Sequence, residues 1–284
     1  MRYPGENDMM ERITSPANKK IKELSALLRK ASLRREQGVF VVEGPKIFGE
    51  APDERIVRVF AGETFFKDAA DEVKDKIRAH EAFLVADDVL EKTGDTKTTQ
   101  GILAVVRMRE AWDDMSHGSC AQTLKGSTLS VPRAGAYVIL ERLQDPGNLG
   151  TIIRSAEAAG FSVIMDRETV DIYSPKVVRS TMGAIFRVNF AYTDDLEETI
   201  TELKSHGVRI FAAHLKGERA YDLEDYGGAS AFLIGNESAG LTDRIASMAD
   251  TYVRIPMLGK VESLNASVAA SVLMFEAARQ RRNR

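Results

Sequence analysis

The apolar residues change period several times along the chain, and each change marks an element. Ile21, Leu24, Leu27 and Leu28 keep the three-and-four spacing of a helix with one buried side. With Ser15-Pro16 as the start, this predicts a helix from Ala17 to Ala31. The continuous apolar runs Val39–Val42, Ile56–Ala61, Ala82–Ala86 and Ile102–Val106 read as strands. Between them, Pro45–Glu50 and the charged, amphipathic Thr64–Ala79 read as helices, and Asp87–Lys92 as a helical turn. Strands alternating with helices make residues 1–109 a small α/β domain.

Residues 110–135 carry Ser, Gly, Thr and Pro132 without a sustained period, which predicts a linker or surface loop. Alternation resumes at Ala136. Strands are expected at Tyr137–Leu140, Ser162–Met165, Val188–Ala191, Val208–Ala213, Ala231–Gly235 and Tyr252–Ile255. Helices are expected at Leu149–Ala159, Pro175–Phe186, Leu196–His206, Leu241–Met248 and Ser263–Gln280. Gly160 and Gly207 stand where helix-ending glycines belong. Residues 136–284 are therefore expected to form a mostly parallel sheet with helices on both faces.

Composition narrows the class. The 284 residues are 44% hydrophobic and 29% charged, enough for two ordinary cores. No apolar run approaches the roughly 20 residues of a membrane span. The amino end lacks the apolar stretch of a secretion signal, so a cytoplasmic protein is expected. One cysteine, Cys120, and four scattered histidines predict neither an intramolecular disulfide nor a metal centre. A net charge of −3 excludes a globally basic nucleic-acid binder, yet the charge is uneven. Lys19, Lys20, Lys22, Arg29, Lys30, Arg34 and Arg35 face only Glu23 between positions 19 and 35, and the tail Arg279–Arg284 is also basic. Such patches either neutralise phosphates or form a solvated helix face.

Three loops carry candidate chemistry. Leu143–Arg154 places Pro146-Gly147 after a strand, with Asn148 as a possible helix cap. Gly150 permits close packing at that helix start. Arg154, beside Ile152, Ile153 and Ala156, needs a partner or an anionic ligand. Gly235-Asn-Glu-Ser-Ala-Gly-Leu241 puts Glu237 just beyond a strand, either as a helix-start carboxylate or as a partner for Arg154 or a substrate hydroxyl. Ile255–Ala269 has Pro256 and Gly259 shaping a loop, after which Ser263 or Asn265 opens a helix rich in small residues. Loops at the carboxyl edge of an open α/β sheet are where ligands collect. No G-x-G-x-x-G, P-loop or G-x-S-x-G elbow is present.

In this order the three loops resemble the SpoU (TrmH-type) RNA ribose 2′-O-methyltransferases of the SPOUT superfamily. The likeness rests on Asn148–Arg154, Gly235–Leu241 and Ile255-Pro-Met with Glu262–Val268, and a fourth segment, Tyr173–Ala184, is also similar. Residues 1–109, closing with Gln100–Val106, are similar to the family's L30e-like substrate-binding domain. The resemblance implies a carboxyl-terminal trefoil knot and a homodimer whose catalytic pocket combines both subunits. It implies S-adenosylmethionine held around Gly235, Ile255 and Leu264, with Asn236 and Met257 close by. It implies Arg154 as the group acting on the ribose hydroxyl. Asn148 and Asn265 would orient it, Ser263 would touch substrate, and Glu237 is one candidate proton acceptor. Lys19, Lys20, Lys22, Arg29, Arg34 and Arg35 would track RNA phosphates, ribosomal RNA being favoured over transfer RNA. Two other readings remain: an RNA-binding protein of this fold without turnover, and an unrelated α/β enzyme clamping a small phosphorylated substrate with Arg154.

Overall fold

The computed structural model describes residues 10–94, 99–109, 122–123, 130–131, 135–214 and 217–284. The chain divides into two compact units, Met1–Met108 with Tyr173–Phe186, and Arg109–Ile172 with Arg187–Arg284. Most of the expected linker, Cys120 included, lies outside the described residues.

The first unit opens with β1 (Glu11–Ile13), α1 (Lys19–Arg29), α2 (Ala31–Gln37) and β2 (Val39–Glu43). It continues through α3 (Pro45–Glu50), β3 (Ile56–Gly62), α4 (Glu63–Asp68), α5 (Asp71–Arg78), β4 (Glu81–Val85), α6 (Asp87–Thr93) and β5 (Ile102–Arg107). Its sheet has the order β1-β4-β3-β5-β2. The pairs through β4 are parallel and those through β5 antiparallel.

Asn18 starts α1 by accepting from the amide of Lys20 at 2.8 Å. Ile21, Leu24, Leu27 and Leu28 then pack on Val39, Val41, Phe60, Phe83, Leu103 and Val105. Each buried side chain of this size contributes on the order of 1.5–3 kcal/mol, so the apolar stripe decides which face turns outward.

Local differences from the expected elements have local causes. The helix expected over 17–31 covers Lys19–Arg29, and α2 follows it as a separate helix whose charged residues hide any apolar period. β1 buries only Ile13, too little to leave a pattern. The helix expected over 64–79 is two, because Ala69 and Ala70 are extended.

After the ribbon β6 (Gln122–Thr123) and β7 (Ser130–Val131) come β8 (Ala136–Leu140), α7 (Pro146–Ala159), β9 (Ser162–Asp166) and α8 (Pro175–Thr181). The remainder is β10 (Phe190–Thr193), α9 (Leu196–Ser205), β11 (Arg209–Ala213), β12 (Arg219–Ala220), β13 (Ser230–Ile234), α10 (Asp243–Ala246), β14 (Thr251–Arg254) and α11 (Ala266–Arg282).

α8 belongs to the first unit. Tyr173 lies 4.7 Å from Phe40, ring centre to ring centre, and Arg179 comes within 3.5 Å of the buried Glu43. The helix expected over 175–186 breaks after Thr181, because Met182 and Gly183 take left-handed φ of 52° and 93°.

The second sheet has the order β10-β9-β8-β13-β11-β14-β12, and every pairing in it is parallel. One face is covered by Leu196, Ile200 and Leu203 of α9 with Ile245 of α10, packed on Tyr137, Ile139, Ile210, Ala212, Ala231 and Leu233. On the other side α7 and α11 pack together, α7 on β9 and α11 on β13. From β8 the chain winds outward to β10 and then returns to the far side of β8, so the strand order reverses between β8 and β13. The loops leaving these two neighbours open at that switch point, where open α/β sheets bind ligands. No helix among the described residues is long and apolar enough to cross a membrane.

Candidate active site at the carboxyl edge of the parallel sheet

Asp145, not Asn148, caps α7: its carboxylate accepts from the Asn148 amide at 2.8 Å, and Pro146 occupies the first turn. The expected capping role of Asn148 is therefore corrected. Asn148 is the third residue of the helix, 8% exposed, with its side chain free to bridge loops. Its Nδ2 donates to Glu237 Oε1 at 3.1 Å, and its Oδ1 accepts from Asn265 Nδ2 at 2.9 Å. Asn265 caps α11, accepting from the amides of Ser267 and Val268, which decides between Ser263 and Asn265 as its start. One chain of amides thus joins the loops after β8, β13 and β14.

Glu237 anchors this chain. Its carboxylate also accepts from the amides of Gln144 at 3.2 Å and Asp145 at 2.9 Å. Partial burial works to raise its pKa, but the bonds from Asn148, Asp145 and Gln144 together hold it below the ordinary carboxylate range. The expected pairing with Arg154 does not form, because these amides occupy the oxygens. The loop bearing Glu237 is closed by Asn236, whose Oδ1 accepts from Ser238 and Ala239 and whose Nδ2 donates to the Arg142 carbonyl at 2.9 Å.

Beside this network lies a cavity of about 330 Å³. It is lined by all five residues expected to hold a cofactor, Gly235, Asn236, Ile255, Met257 and Leu264, and by Glu237 and Ser263. Apolar wall comes from Ile234, Val253, Ala266 and Ala269, polar wall from His214, Arg254 and Glu262. Gly235 is required by close approach, since a β-carbon there would stand 2.2 Å from backbone atoms of Gly240 and Leu241. His214, stacked on Tyr252 with centroids 5.0 Å apart, was not singled out in the sequence because a lone histidine after a strand carries no pattern.

Arg154 stands elsewhere. It is exposed on α7, is not part of the cavity wall, and the amides of Asn148 and Asn265 bond to each other rather than to it. The apolar neighbours that suggested a buried guanidinium, Ile152, Ile153 and Ala156, face the core while Arg154 faces out. Next to it, Ser155 accepts from Ser271 of α11 at 2.8 Å, so Arg154 borders the α7–α11 seam. On α11, Val268 and Phe275 are 46% and 48% exposed.

The basic segment also divides. Arg34 is only 4% exposed, and its Nη1 donates to the carbonyls of Leu27 and Leu28 at 2.8 and 3.3 Å, capping the end of α1. Lys20 is bonded to Glu11 at 2.5 Å and lies 3.9 Å from the centre of the Phe83 ring. Arg34 is thereby corrected from RNA-facing to structural; Lys20 keeps a partly exposed side chain, and Lys19, Lys22, Arg29 and Arg35 are exposed. The tail is mostly exposed but largely paired within the chain: Arg279 with Glu276, Arg284 with Asp225, and Arg281 on the carbonyls of Tyr226 and Gly228. Among the described residues no His, Cys, Asp or Glu group could hold a metal.

Residues 135–275 match the SpoU rRNA Methylase family, and residues 18–104 match the MRM3-like substrate binding domain. The chain is 29% identical over 268 residues to the 23S rRNA (guanosine(2553)-2'-O)-methyltransferase RlmP of Bacillus subtilis, covering 94% of this chain and 98% of that one. The AdoMet-bound rRNA methyltransferase from Sinorhizobium meliloti superposes with a TM-score of 0.78 at 31% identity, over 95% of this chain and 97% of that one. The SpoU methyltransferase AviRb from Streptomyces viridochromogenes, in complex with AdoMet, gives 0.78 at 26% identity, over 93% and 98%. With the parallel sheet, the glycine-rimmed cavity and the linked loops in place, the chain belongs to the SpoU rRNA methylase family.

Proposed function

We propose that this protein is an S-adenosylmethionine-dependent methyltransferase acting on a ribose 2′-hydroxyl of RNA, with ribosomal RNA favoured. The observation that carries this reading is the Glu237–Asn148–Asn265 chain, which locks three loops beside a cavity whose rim at Gly235 admits no side chain. That cavity suits the cofactor: its volume falls at the lower end of ligand pockets, about 300–1,000 Å³, and it offers an apolar wall with a few polar groups at the edge. Gly235, Asn236, Ile255, Met257 and Leu264 would hold it, and once bound it supplies a methyl group already activated by a sulfonium.

The chain's own residues then have to present the hydroxyl and manage its proton. A guanidinium has no acceptor for a proton, so the part of Arg154 is to bind the neighbouring phosphate and stabilise charge growing on the 2′-oxygen. Glu237, held ionised by its amides, fixes Asn148 rather than collecting the proton. The proton goes to the phosphate or to water. Ser263, exposed on the cavity wall, contacts the substrate, and Asn265 holds the Ser263 loop in register with Asn148.

Arg154 stands away from its own cavity wall, which favours a homodimer pairing across the α7–α11 face where Val268 and Phe275 are exposed. Each Arg154 would then serve a pocket completed by the partner. A trefoil knot between β14 and α11 belongs to the same proposal, supported by the return of the chain past two strands to pack α11 on α7. Residues 1–109 would select the RNA, with Lys19, Lys22, Arg29 and Arg35 on its phosphates, and residues 136–284 would carry the chemistry, in the cytoplasm.

Mapping of 2′-O-methyl positions in RNA from cells with and without the protein tests the reading. It expects at least one ribose to lose its methyl group, and an unchanged map contradicts it.

A further inference from the structure

Arg142 is the group in the second unit that neither packing nor the methyl-transfer reading accounts for. It lies two residues past the end of β8, with φ of 51°, and Met182 is the one other non-glycine residue with positive φ among the described residues. Met182 closes a helix, where left-handed residues are common. Arg142 sits in the turn after β8, outside any helix end, and has a β-carbon that resists this conformation. Glycine would fit the turn without strain, so the arginine side chain is retained against a local cost.

The backbone there is held from both sides. The Arg142 amide donates to Asp166 Oδ2 at 2.9 Å, and its carbonyl accepts from Asn236 Nδ2 at 2.9 Å. The guanidinium is much less engaged. Its nearest carboxylate is Glu141, 4.0 Å from Nε, beyond hydrogen-bond reach. Glu141 already accepts from the Thr242 amide at 2.8 Å and the Thr242 hydroxyl at 2.7 Å. Nε is buried without a hydrogen-bond partner, while the side chain as a whole stays 36% exposed. A cationic fork with unspent donors is thus held, by a strained backbone, one residue before the Leu143–Asp145 loop that Glu237 clamps.

We propose that Arg142 is a second RNA anchor, gripping a phosphodiester beside the nucleotide whose ribose is methylated. The inference rests on the RNA methyltransferase reading above. The ribose must stand at the mouth of the cavity, so its flanking phosphates fall along the carboxyl edge of β8 and β13, where Arg142 sits. A planar guanidinium matches two phosphate oxygens at once. The carboxylate of the cofactor is the competing anion, but Arg142 lies outside the cavity wall and reaches it only through its carbonyl on Asn236. The strained backbone acts as a fixed mount, so the fork is ordered before RNA arrives.

The test is Arg142→Gly in the full chain, with Arg142→Lys beside it. Binding to an unmodified large-subunit ribosomal RNA transcript is measured across a salt series, cofactor binding by calorimetry, and stability by thermal melting. Arg142→Gly is expected to melt at or above the wild-type temperature and to bind S-adenosylmethionine as the wild type does. It should bind RNA about tenfold more weakly, with the slope of log affinity against log salt reduced by about 1. Arg142→Lys should recover the slope but not the full affinity.

Wild-type RNA affinity and slope in Arg142→Gly overturn the proposal. Loss of cofactor affinity overturns it in favour of the carboxylate, and a lowered melting temperature in favour of a structural counter-ion to Glu141. A wild-type protein that neither binds nor methylates the transcript defeats the methyltransferase reading itself. Wild-type methylation with an unaltered variant defeats only the anchor.

Discussion

The side-chain amide of Asn148 donates to the Glu237 carboxylate across 3.1 Å, joining two loops 89 residues apart in sequence. Because Glu237 also receives the amides of Gln144 and Asp145, one carboxylate fixes the course of the whole turn after β8. Its part is architectural, and its chemistry follows from that. Replacing it by Ala leaves three donors without their charged acceptor, a loss of about 1–3 kcal/mol where water compensates in part. Thermal melting of Glu237→Ala should fall accordingly, and calorimetry should show weaker S-adenosylmethionine binding. An unaltered melting temperature and cofactor affinity would show that the clamp is dispensable.

The acidity of Glu237 gives a pH prediction. Burial opposes ionisation, yet the bonds from Asn148, Asp145 and Gln144 leave the folded pKa below the unfolded one. A depressed carboxylate contributes stability above its unfolded pKa of about 4.3 and loses it as pH falls through the folded value. Stability and turnover between pH 6 and 9 should therefore show no Glu237 titration. A turnover profile in which Glu237→Gln removes a limb in that window would restore Glu237 as proton acceptor.

Gly235 makes a steric prediction. A β-carbon 2.2 Å from the Gly240–Leu241 backbone has no flexible neighbour to displace, so Gly235→Ala must distort the turn. Cofactor binding should be lost even in preparations that remain folded by circular dichroism. Normal cofactor affinity in this variant would mean the rim is not the binding surface.

Arg34 and Arg35 are neighbours with opposite fates. Arg34→Ala removes the donors that cap α1 and should cost about 1–3 kcal/mol of stability with RNA affinity intact. Joint replacement of Lys19, Lys22, Arg29 and Arg35 by Ala should shift stability little, surface changes being within about 0.5 kcal/mol each. It should nevertheless weaken RNA binding and flatten its salt dependence. Wild-type RNA binding in the fourfold variant would return this helix face to plain solvation.

Much of this was legible in the sequence, for physical reasons. Parallel strands buried on both faces leave unbroken apolar runs, so β8, β11 and β13 were found within a residue or two. Loops that wrap a ligand need Gly, Pro and Asn at set places, which is why the loops stood out; that Gly235, Asn236, Ile255, Met257 and Leu264 share one wall came only with the family resemblance. Side-chain direction was not legible. Arg34 and Arg35 look alike in a string of letters, and only the helix end at Arg29 decides which one turns inward. Asn148 read as a cap because the true cap, Asp145, stands just ahead of Pro146-Gly147. The strain at Arg142 has no sequence signature, since positive φ is marked in a sequence by Gly, Asn or Asp and not by arginine.

The central claim is that the Arg154 guanidinium, on the α7–α11 face, acts on a hydroxyl brought to a cavity that it does not itself line. The direct measurement is single-turnover methyl transfer by Arg154→Ala to an RNA that the wild type methylates, with cofactor affinity measured on the same preparation. The account predicts transfer reduced by at least about a hundredfold with cofactor affinity near wild type, and partial recovery in Arg154→Lys. Transfer by Arg154→Ala at near the wild-type rate would contradict it.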